Sequence, residues 1–251
     1  MAKQLSLFIV YFAAILCAGC TSAPQAREPL RLLFVGNSLT YVGNLPAVVD
    51  ALAATNHRLV QSDMIAKGGA TLTQHRSDGS VARALLSKNY DYVLLQERGG
   101  DFICSFGPSS CHEAEASLAE LTRLAKMQGA KVILLGTYQQ LAAVSVALVE
   151  AEATAATRLS ITHIPVSQYF QAGVASKHQA DWLDKDGAHP GHDLILLEAM
   201  LLYRHLFGAL PGSSSFSVHA PMRGSASELT SHNYTADRVG VVLDVVAGTS
   251  P

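Results

Sequence analysis

The chain has 251 residues, about half of them (49%) hydrophobic, with 20 acidic and 18 basic side chains. This composition is typical of a globular protein that can bury a sizeable core without metals or disulfides. The net charge of −2 and the lack of Lys/Arg clusters exclude the concentrated positive charge that nucleic-acid binding needs. We therefore expect no nucleic-acid partner.

The first twenty residues have the pattern of an export signal. Lys3 gives a positive start, Leu5 to Leu16 form an apolar stretch too short to span a bilayer, and Ala18-Gly19-Cys20 places small residues before a cysteine. This pattern resembles a bacterial lipoprotein signal, which implies a signal peptide over residues 1–19 and lipid attachment at Cys20. Cys17 departs from it, because Leu is usual there. The alternative is a plain secretory signal cut nearby.

Residues 20–29 are polar and without periodicity, so we expect a short tether there. Either signal exports the protein. Thr21 after Cys20 lacks the Asp that often retains lipoproteins at the inner membrane. The resemblance therefore implies the outer membrane of a bacterial envelope, with the lipid anchor as the sole contact with the membrane.

Five short apolar runs alternate with stretches of helical period along the rest of the chain. The runs predict buried strands at Leu30–Val35, Leu59–Ile65, Tyr90–Leu95, Lys131–Leu135 and Ile161–Val166. The stretches between and after them predict helices at about 44–55, 79–89, 112–128, 139–158 and 191–207.

This alternation predicts an α/β fold with three layers, in which a doubly wound, flavodoxin-like sheet of five parallel strands lies between helices. No linker interrupts residues 30–207, so we interpret them as one domain. Residues 208–251 form a C-terminal extension packed on the domain or trailing it. Its apolar run Val239–Val246 fits either a strand or a helix.

Cys104 and Cys111 are the two cysteines outside the signal, and the turn formers Gly107, Pro108, Ser109 and Ser110 lie between them. A loop of this kind can bring the two sulfurs together, and an oxidising compartment would let them form a disulfide. Two free thiols or a metal pair are the alternatives, but they lack further ligands at suitable spacing.

Ser38 follows the first predicted strand directly, in the sequence Gly36-Asn37-Ser38-Leu39. Catalytic groups gather at the carboxyl ends of parallel strands, so Ser38 is a candidate nucleophile. Serine is also a preferred residue at the start of a helix, and position alone favours that structural role.

The segment Asp186-Gly187-Ala188-His189-Pro190 supplies the partners that a nucleophilic serine needs. Pro190 keeps His189 out of the helical region, and Asp186 is close enough in the chain to accept the Nδ1–H of the ring. That bond would leave Nε2 free to take a proton from Ser38.

The two segments together resemble the motifs of the GDSL-like (SGNH) hydrolases. Gly36-Asn37-Ser38-Leu39 is similar to the Gly-Asp-Ser-Leu block, with Asn37 in the Asp place, and Asp186-Gly187-Ala188-His189-Pro190 is similar to the closing Asp-x-x-His block. The resemblance covers about residues 30–207. It implies a serine esterase with Ser38, His189 and Asp186 as its triad and an acyl-enzyme on Ser38.

The resemblance also implies an oxyanion hole. Lys67-Gly68-Gly69-Ala70-Thr71-Leu72 matches the family's glycine block, so the Gly69 N–H, or that of Gly68, would join the Ser38 N–H. The family's Gly-x-Asn-Asp block is replaced here by Leu94-Leu95-Gln96-Glu97, as in a divergent branch with Leu-Gln-Glu. The Gln96 amide would then be the third donor. Glu97, Arg98 and Asp101 fit substrate binding or a solvated charged loop equally well.

The sequence implies no cofactor and no metal. His192 and Asp193 near His189 have spacings that a metal could use, but a polar surface or capping role is simpler. Acyl or acetyl esters, small or on envelope polysaccharides, are the expected substrates. The alternative is an inactive envelope lipoprotein that keeps this scaffold as a binding or assembly module, and the Asn37 and Gln96 departures support it.

Overall fold

The computed structural model describes residues 28–176, 178–222 and 225–249. The predicted signal peptide, Cys20 and most of the predicted tether lie outside these residues. Five strands form the central sheet: β1 (Leu30–Gly36), β2 (Val60–Ala66), β3 (Tyr92–Leu95), β4 (Lys131–Leu135) and β5 (Thr162–Ile164).

All pairings in this sheet are parallel, and the strand order is β2-β1-β3-β4-β5. The prediction of a doubly wound parallel sheet is therefore confirmed. The order reverses direction between β1 and β3, and a crevice forms at such a switch point beyond the carboxyl ends of the strands. Ser38 follows β1 at this position.

Nine α-helices lie within the described residues. They are α1 (Ser38–Tyr41), α2 (Leu45–Thr55), α3 (Leu72–Ser77), α4 (Ser80–Ser87), α5 (Pro108–Met127), α6 (Ala142–Leu159), α7 (Val166–Ala175), α8 (His192–Phe207) and α9 (Ala236–Gly248). A short 3-10 helix, Asp101–Ile103, precedes α5.

Alternating side chains of the strands fill two cores, one on each face of the sheet. In β1, Leu32 and Phe34 pack with α2, α7, α8 and α9, whereas Leu33 and Val35 pack with α3 to α6. All four side chains are at most 1% exposed. A strand that is buried on both faces must be apolar throughout, which is why β1 has a continuous apolar run.

The predicted fifth strand was too long at its end. Pro165 has no N–H to continue the pairing, and Val166 begins α7 instead. The buried residues Val166, Tyr169, Phe170 and Gly173 then recur with helical period.

The C-terminal residues are part of the same core. Strands β6 (Phe216–Met222) and β7 (Ser225–Tyr234) form an antiparallel pair, and the apolar run that fitted either a strand or a helix forms α9. Val239, Val242 and Val246 are fully buried in the core that includes α8. No helix within residues 28–249 that the structure describes is long and apolar enough to cross a membrane.

Candidate active site

The turn after β1 places Ser38 at the first position of α1. Asn37 caps this helix, and its Oδ1 accepts the N–H of Leu39 at 3.0 Å. Gly36 is required by space, because an added Cβ would lie 2.1 Å from Oγ1 of Thr40. Ser38 is partly exposed, and its N–H donates to no acceptor in the described part of the chain.

The loop before α8 holds His189 and Asp186 in contact. Nδ1 of His189 lies 2.5 Å from Oδ2 of Asp186, whose Oδ1 accepts the N–H groups of Ala188 and His189 at 2.9 Å each. These bonds, that with the His189 ring first, hold the pKa of Asp186 well below its usual range. The carboxylate therefore fixes the ring with Nε2 facing away from it, as a general base requires.

Residues after β4 support this loop from the side. The Tyr138 hydroxyl donates to the carbonyl of Ala188 at 2.7 Å, and the Gln140 amide donates to the carbonyl of Gly187 at 2.7 Å. Sequence reasoning missed Tyr138, although its position just beyond the carboxyl end of a central strand was a usable signal.

A cavity of about 320 Å³ lies beside these segments. Leu39 next to Ser38 and Ala188 next to His189 both line it, so the structure brings the two motif segments to one cleft. The rest of its wall comes from the loops after β3 and β4: Gly99, Phe106, Tyr138, Gln139, Gln140 and Leu141.

The glycine block lies against α1. An added Cβ at Gly68 would be 3.1 Å from the Tyr41 hydroxyl, whereas Gly69 has open space around it. Gly69 has φ +66°, a conformation that L side chains rarely adopt, so its backbone and not its surroundings requires glycine. Its N–H donates to no acceptor among the described residues.

Gln96 is buried in the interior and does not line the cavity. It is 2% exposed, and its Oε1 accepts the Thr40 hydroxyl at 2.6 Å. Its Nε2 is shielded from solvent and has no hydrogen-bond partner among the described residues. The structure thus joins Gln96 to α1 but does not bring its amide nitrogen to the surface of the cleft.

The charged residues after β3 do not form a solvated loop, so that interpretation was wrong. Glu97 and Asp101 are each 1% exposed. Glu97 accepts the N–H groups of Leu72 and Arg98 at 3.0 Å each, and both oxygens of Asp101 bind the Arg98 guanidinium. Burial, together with the charge of Asp101, raises the pKa of Glu97 to about 7.

Cys104 and Cys111 form the predicted disulfide. The loop that the disulfide closes contains Phe106, which lines the cavity. The Arg98 guanidinium lies over the Phe106 ring, with its Cζ 4.2 Å from the ring centroid. The disulfide therefore tethers one wall of the cleft.

No group of three or more metal-binding side chains occurs in the regions that the structure describes. The His192 ring stacks on that of His232 at 3.5 Å, and Asp193 pairs with Arg238. His192 and Asp193, which follow the loop of His189, thus join α8 to the C-terminal strands and α9.

No protein-family model matches the sequence, and none of the curated proteins matches it. Solved structures do. A proposed SGNH hydrolase from Slackia heliotrinireducens is 26% identical with a TM-score of 0.59, and the match covers 71% of this chain and all of that one.

Two more distant structures share the fold. A DUF4886 family protein from Bacteroides uniformis is 14% identical with a TM-score of 0.59, covering 89% of this chain and 97% of that one. Axe2, an acetyl-xylooligosaccharide esterase from a Geobacillus species, is 15% identical with a TM-score of 0.54, and the match covers 71% of this chain and 94% of that one. The protein therefore has the fold of the SGNH hydrolases, and the resemblance that its motifs indicated is confirmed by its structure.

Proposed function

We propose that the protein is a serine esterase that hydrolyses carboxylic esters through an acyl-enzyme. The observation that carries this proposal is the pairing of His189 Nδ1 with Asp186 at 2.5 Å, in a loop whose Ala188 lines the same cavity as Leu39, the residue after Ser38. In Axe2, catalytic mutants replace a serine or a histidine with alanine, which supports the same pair of residue types here.

In the acylation step, Ser38 Oγ attacks the carbonyl carbon of the ester while its proton passes to Nε2 of His189. The carbonyl oxygen becomes an oxyanion. When the tetrahedral intermediate collapses, the bond to the leaving oxygen breaks and His189 gives its proton to the departing alcohol. Asp186 stays ionised and stabilises the imidazolium between these transfers.

Deacylation repeats the sequence with water. His189 takes a proton from a water molecule while the water oxygen attacks the acyl carbon. The second tetrahedral intermediate then collapses, which breaks the bond to Ser38 Oγ and releases the carboxylic acid. The proton on His189 returns to Oγ. No redox step and no external reductant enter this scheme.

The oxyanion is proposed to lie between the N–H groups of Ser38 and Gly69, both of which donate to no acceptor among the described residues. Gln96 is the proposed third donor. Its nitrogen is buried, so it must turn toward the cleft to contribute. Removing a donor of this kind typically lowers kcat by about 10²–10³, so a loss of that size is expected when the Gln96 amide is removed.

The proposed substrates are small acyl or acetyl esters, or such esters on a polysaccharide. The cavity, with apolar Leu39, Phe106 and Leu141 beside the amides of Gln139 and Gln140, can hold both an apolar group and hydroxyl groups. Axe2, which shares the fold, is an acetyl-xylooligosaccharide esterase. We further propose export to the bacterial envelope, with Cys20 carrying the lipid anchor of an outer-membrane protein.

Hydrolysis of p-nitrophenyl acetate tests the proposal. Purified wild-type protein is expected to turn over the ester, and Ser38→Ala and His189→Ala are each expected to lower kcat to near the background rate. Circular dichroism controls for folding. Equal rates in all three proteins would overturn the mechanism, and an inactive wild type on a panel of short and long acyl esters would favour a binding module.

A further inference from the structure

The hydrogen bonds of Asp186 fix the shape of the loop that carries His189. Oδ1 of Asp186 accepts the N–H groups of Ala188 and His189, and these belong to the two peptide groups that precede His189. Donor and acceptor lie in the same loop in both bonds, so the bonds do not locate the loop relative to the sheet. Gly187, at φ +68°, adds a backbone position with unusual conformational freedom.

Two side chains from the segment between β4 and α6 bind this loop on its carbonyl side. The Tyr138 hydroxyl donates to the carbonyl of Ala188, and the Gln140 amide donates to the carbonyl of Gly187, each at 2.7 Å. Each of the two peptide groups is thus held at its N–H from within the loop and at its carbonyl from the end of β4. Because a peptide group is planar, bonds at its two opposite ends fix its orientation.

The segment between β4 and α6 is itself fixed to two helices. The Thr137 N–H donates to Oε1 of Glu152 on α6, and the Gln139 N–H donates to Oγ of Ser167 on α7, both at 3.0 Å. Glu152 is 1% exposed and Ser167 is 0% exposed, so water does not compete for these bonds. Tyr138 therefore projects from a backbone that is held on both sides of it.

Tyr138 makes the stronger of the two bonds to the loop. Its side chain is buried, and its ring packs on that of Phe170 with the centroids 5.3 Å apart. Gln140 is exposed, and water can replace a bond from an exposed side chain at little cost. Burial also raises the pKa of Tyr138 above its usual range, so the hydroxyl keeps its proton and remains a donor.

We propose that Tyr138 is a positioning residue that holds His189 within reach of the proton of Ser38, with Gln140 as a weaker second bond. The proposal rests on the esterase function proposed above. Ser38 follows β1 and Tyr138 follows β4, and the carboxyl ends of these parallel strands share one edge of the sheet. A bond from Tyr138 therefore sets the place of the base relative to the nucleophile. A misplacement of about 1 Å can lower the rate about 10²-fold.

Tyr138→Phe removes the hydroxyl and keeps the ring that lines the cavity. With p-nitrophenyl acetate, kcat is expected to fall by about tenfold or more, because the base loses its place. KM is expected to stay within about twofold, because the wall of the cavity is unchanged. Gln140→Ala is expected to lower kcat by less, about threefold, since its bond is exposed.

Tyr169→Phe is the matched control. Tyr169 is a fully buried tyrosine in the same core, and its hydroxyl accepts a hydrogen bond from Arg204 at 2.7 Å, outside the candidate site. Both variants lose one hydroxyl and one hydrogen bond, so the melting temperature is expected to fall in both. Only Tyr138→Phe is expected to lose kcat, and this difference separates positioning from a purely structural role.

The proposal is overturned if Tyr138→Phe keeps the wild-type kcat, if a rise in KM accounts for its whole loss, or if Tyr169→Phe lowers kcat to the same extent. Should the wild type itself hydrolyse no ester, the proposed function fails separately. The positioning role is then decided by ¹H–¹³C spectra of the His189 ring, assigned with His189→Ala. The ring signals are expected to move in Tyr138→Phe and not in Tyr169→Phe, and signals that behave alike in both variants would overturn the proposal.

Discussion

At the scale of single residues, Asn37 shows why the departure from the Gly-Asp-Ser-Leu block leaves the turn intact. Its Oδ1 accepts the N–H of Leu39 as an Asp oxygen would, so the cap that starts α1 at Ser38 is preserved. The sequence could identify the block and the position of Ser38. It could not show which of the two side-chain functions of Asn37, acceptor or donor, the fold uses.

Replacing Asn37 tests this assignment. Asn37→Ala removes the acceptor and is expected to lower the free energy of unfolding by about 1 kcal/mol. Asn37→Asp keeps it, and the loss should be smaller because the negative charge lies at a helix start. Urea denaturation of both variants measures the difference. Equal losses would show that the cap bond does not stabilise the turn.

Asp186 offers a second test at the same scale. Asp186→Asn keeps the volume but places an amide beside Nδ1 of His189. Because an amide can donate to Nδ1, the ring proton then lies on Nε2, which cannot act as the base, and kcat is expected to fall by about 10⁴. Asp184→Asn on the same loop is the control, since among the described residues the Asp184 carboxylate accepts only the N–H of Lys185. A steady-state assay in which both variants lose activity equally would contradict the assigned role.

At the scale of elements, the sequence predicted the five strands of the central sheet and the helices α2, α4, α5, α6 and α8, but not α1, α3 and α7. β4 was predicted over its full length, and α2, α6 and α8 within a few residues. The helix α3 was missed although Thr71 and Gln74 form a capping box that the sequence displays. α7 was missed because the apolar residues around Pro165 continued the pattern of a buried strand.

The segment after β3 shows where sequence reasoning fails for a physical reason. Gln96, Glu97 and Asp101 are polar, and such residues are usually solvated, yet all three are buried. Arg98 pairs with Asp101 within the segment, but the Thr40 hydroxyl on Gln96 and the Leu72 N–H on Glu97 come from other parts of the chain. A pattern of residue types along one segment does not reveal such contacts.

The disulfide belongs to this scale as well. Replacing Cys104 and Cys111 together with serine is expected to lower the free energy of unfolding by about 2 kcal/mol, because the unfolded chain regains the entropy of an open loop. KM should rise too, since Phe106 in that loop lines the cavity. Wild-type protein treated with a reductant should behave like the double variant. Unchanged stability and KM in both would contradict the tethering role.

At the scale of the whole molecule, the parallel sheet explains how segments far apart in sequence meet. Ser38, the glycine block and Gln96 follow β1, β2 and β3, whose carboxyl ends share one edge of the sheet. This arrangement was predictable from the alternation of strands and helices. The contribution of the C-terminal strands and α9 to the core was not, because their apolar run fitted two structures equally.

Buried carboxyls give the whole molecule a predictable response to pH. Burial raises the pKa of Asp50 to about 6, that of Glu97 to about 7 and that of Glu198 well above its ordinary value of 4.5. Such groups hold a proton in the folded state that they release on unfolding. Their contribution to the free energy of unfolding therefore falls as pH rises above the ordinary pKa.

Glu198→Gln removes one of these groups and keeps its volume. The stability of this variant relative to wild type is expected to increase between pH 5 and pH 8, because only the wild type has a Glu198 proton to release on unfolding. Urea denaturation at both pH values measures the change. A difference that is the same at pH 5 and pH 8 would contradict the raised pKa of Glu198 in the folded protein.

The most direct test of the central claim is the identity of the residue that becomes covalently modified. Purified protein is incubated with a fluorophosphonate, digested and analysed by mass spectrometry. A single adduct on Ser38, absent in Ser38→Ala and much slower to form in His189→Ala, is the predicted result. An adduct on another residue, or no adduct in a wild type that hydrolyses esters, would contradict the account.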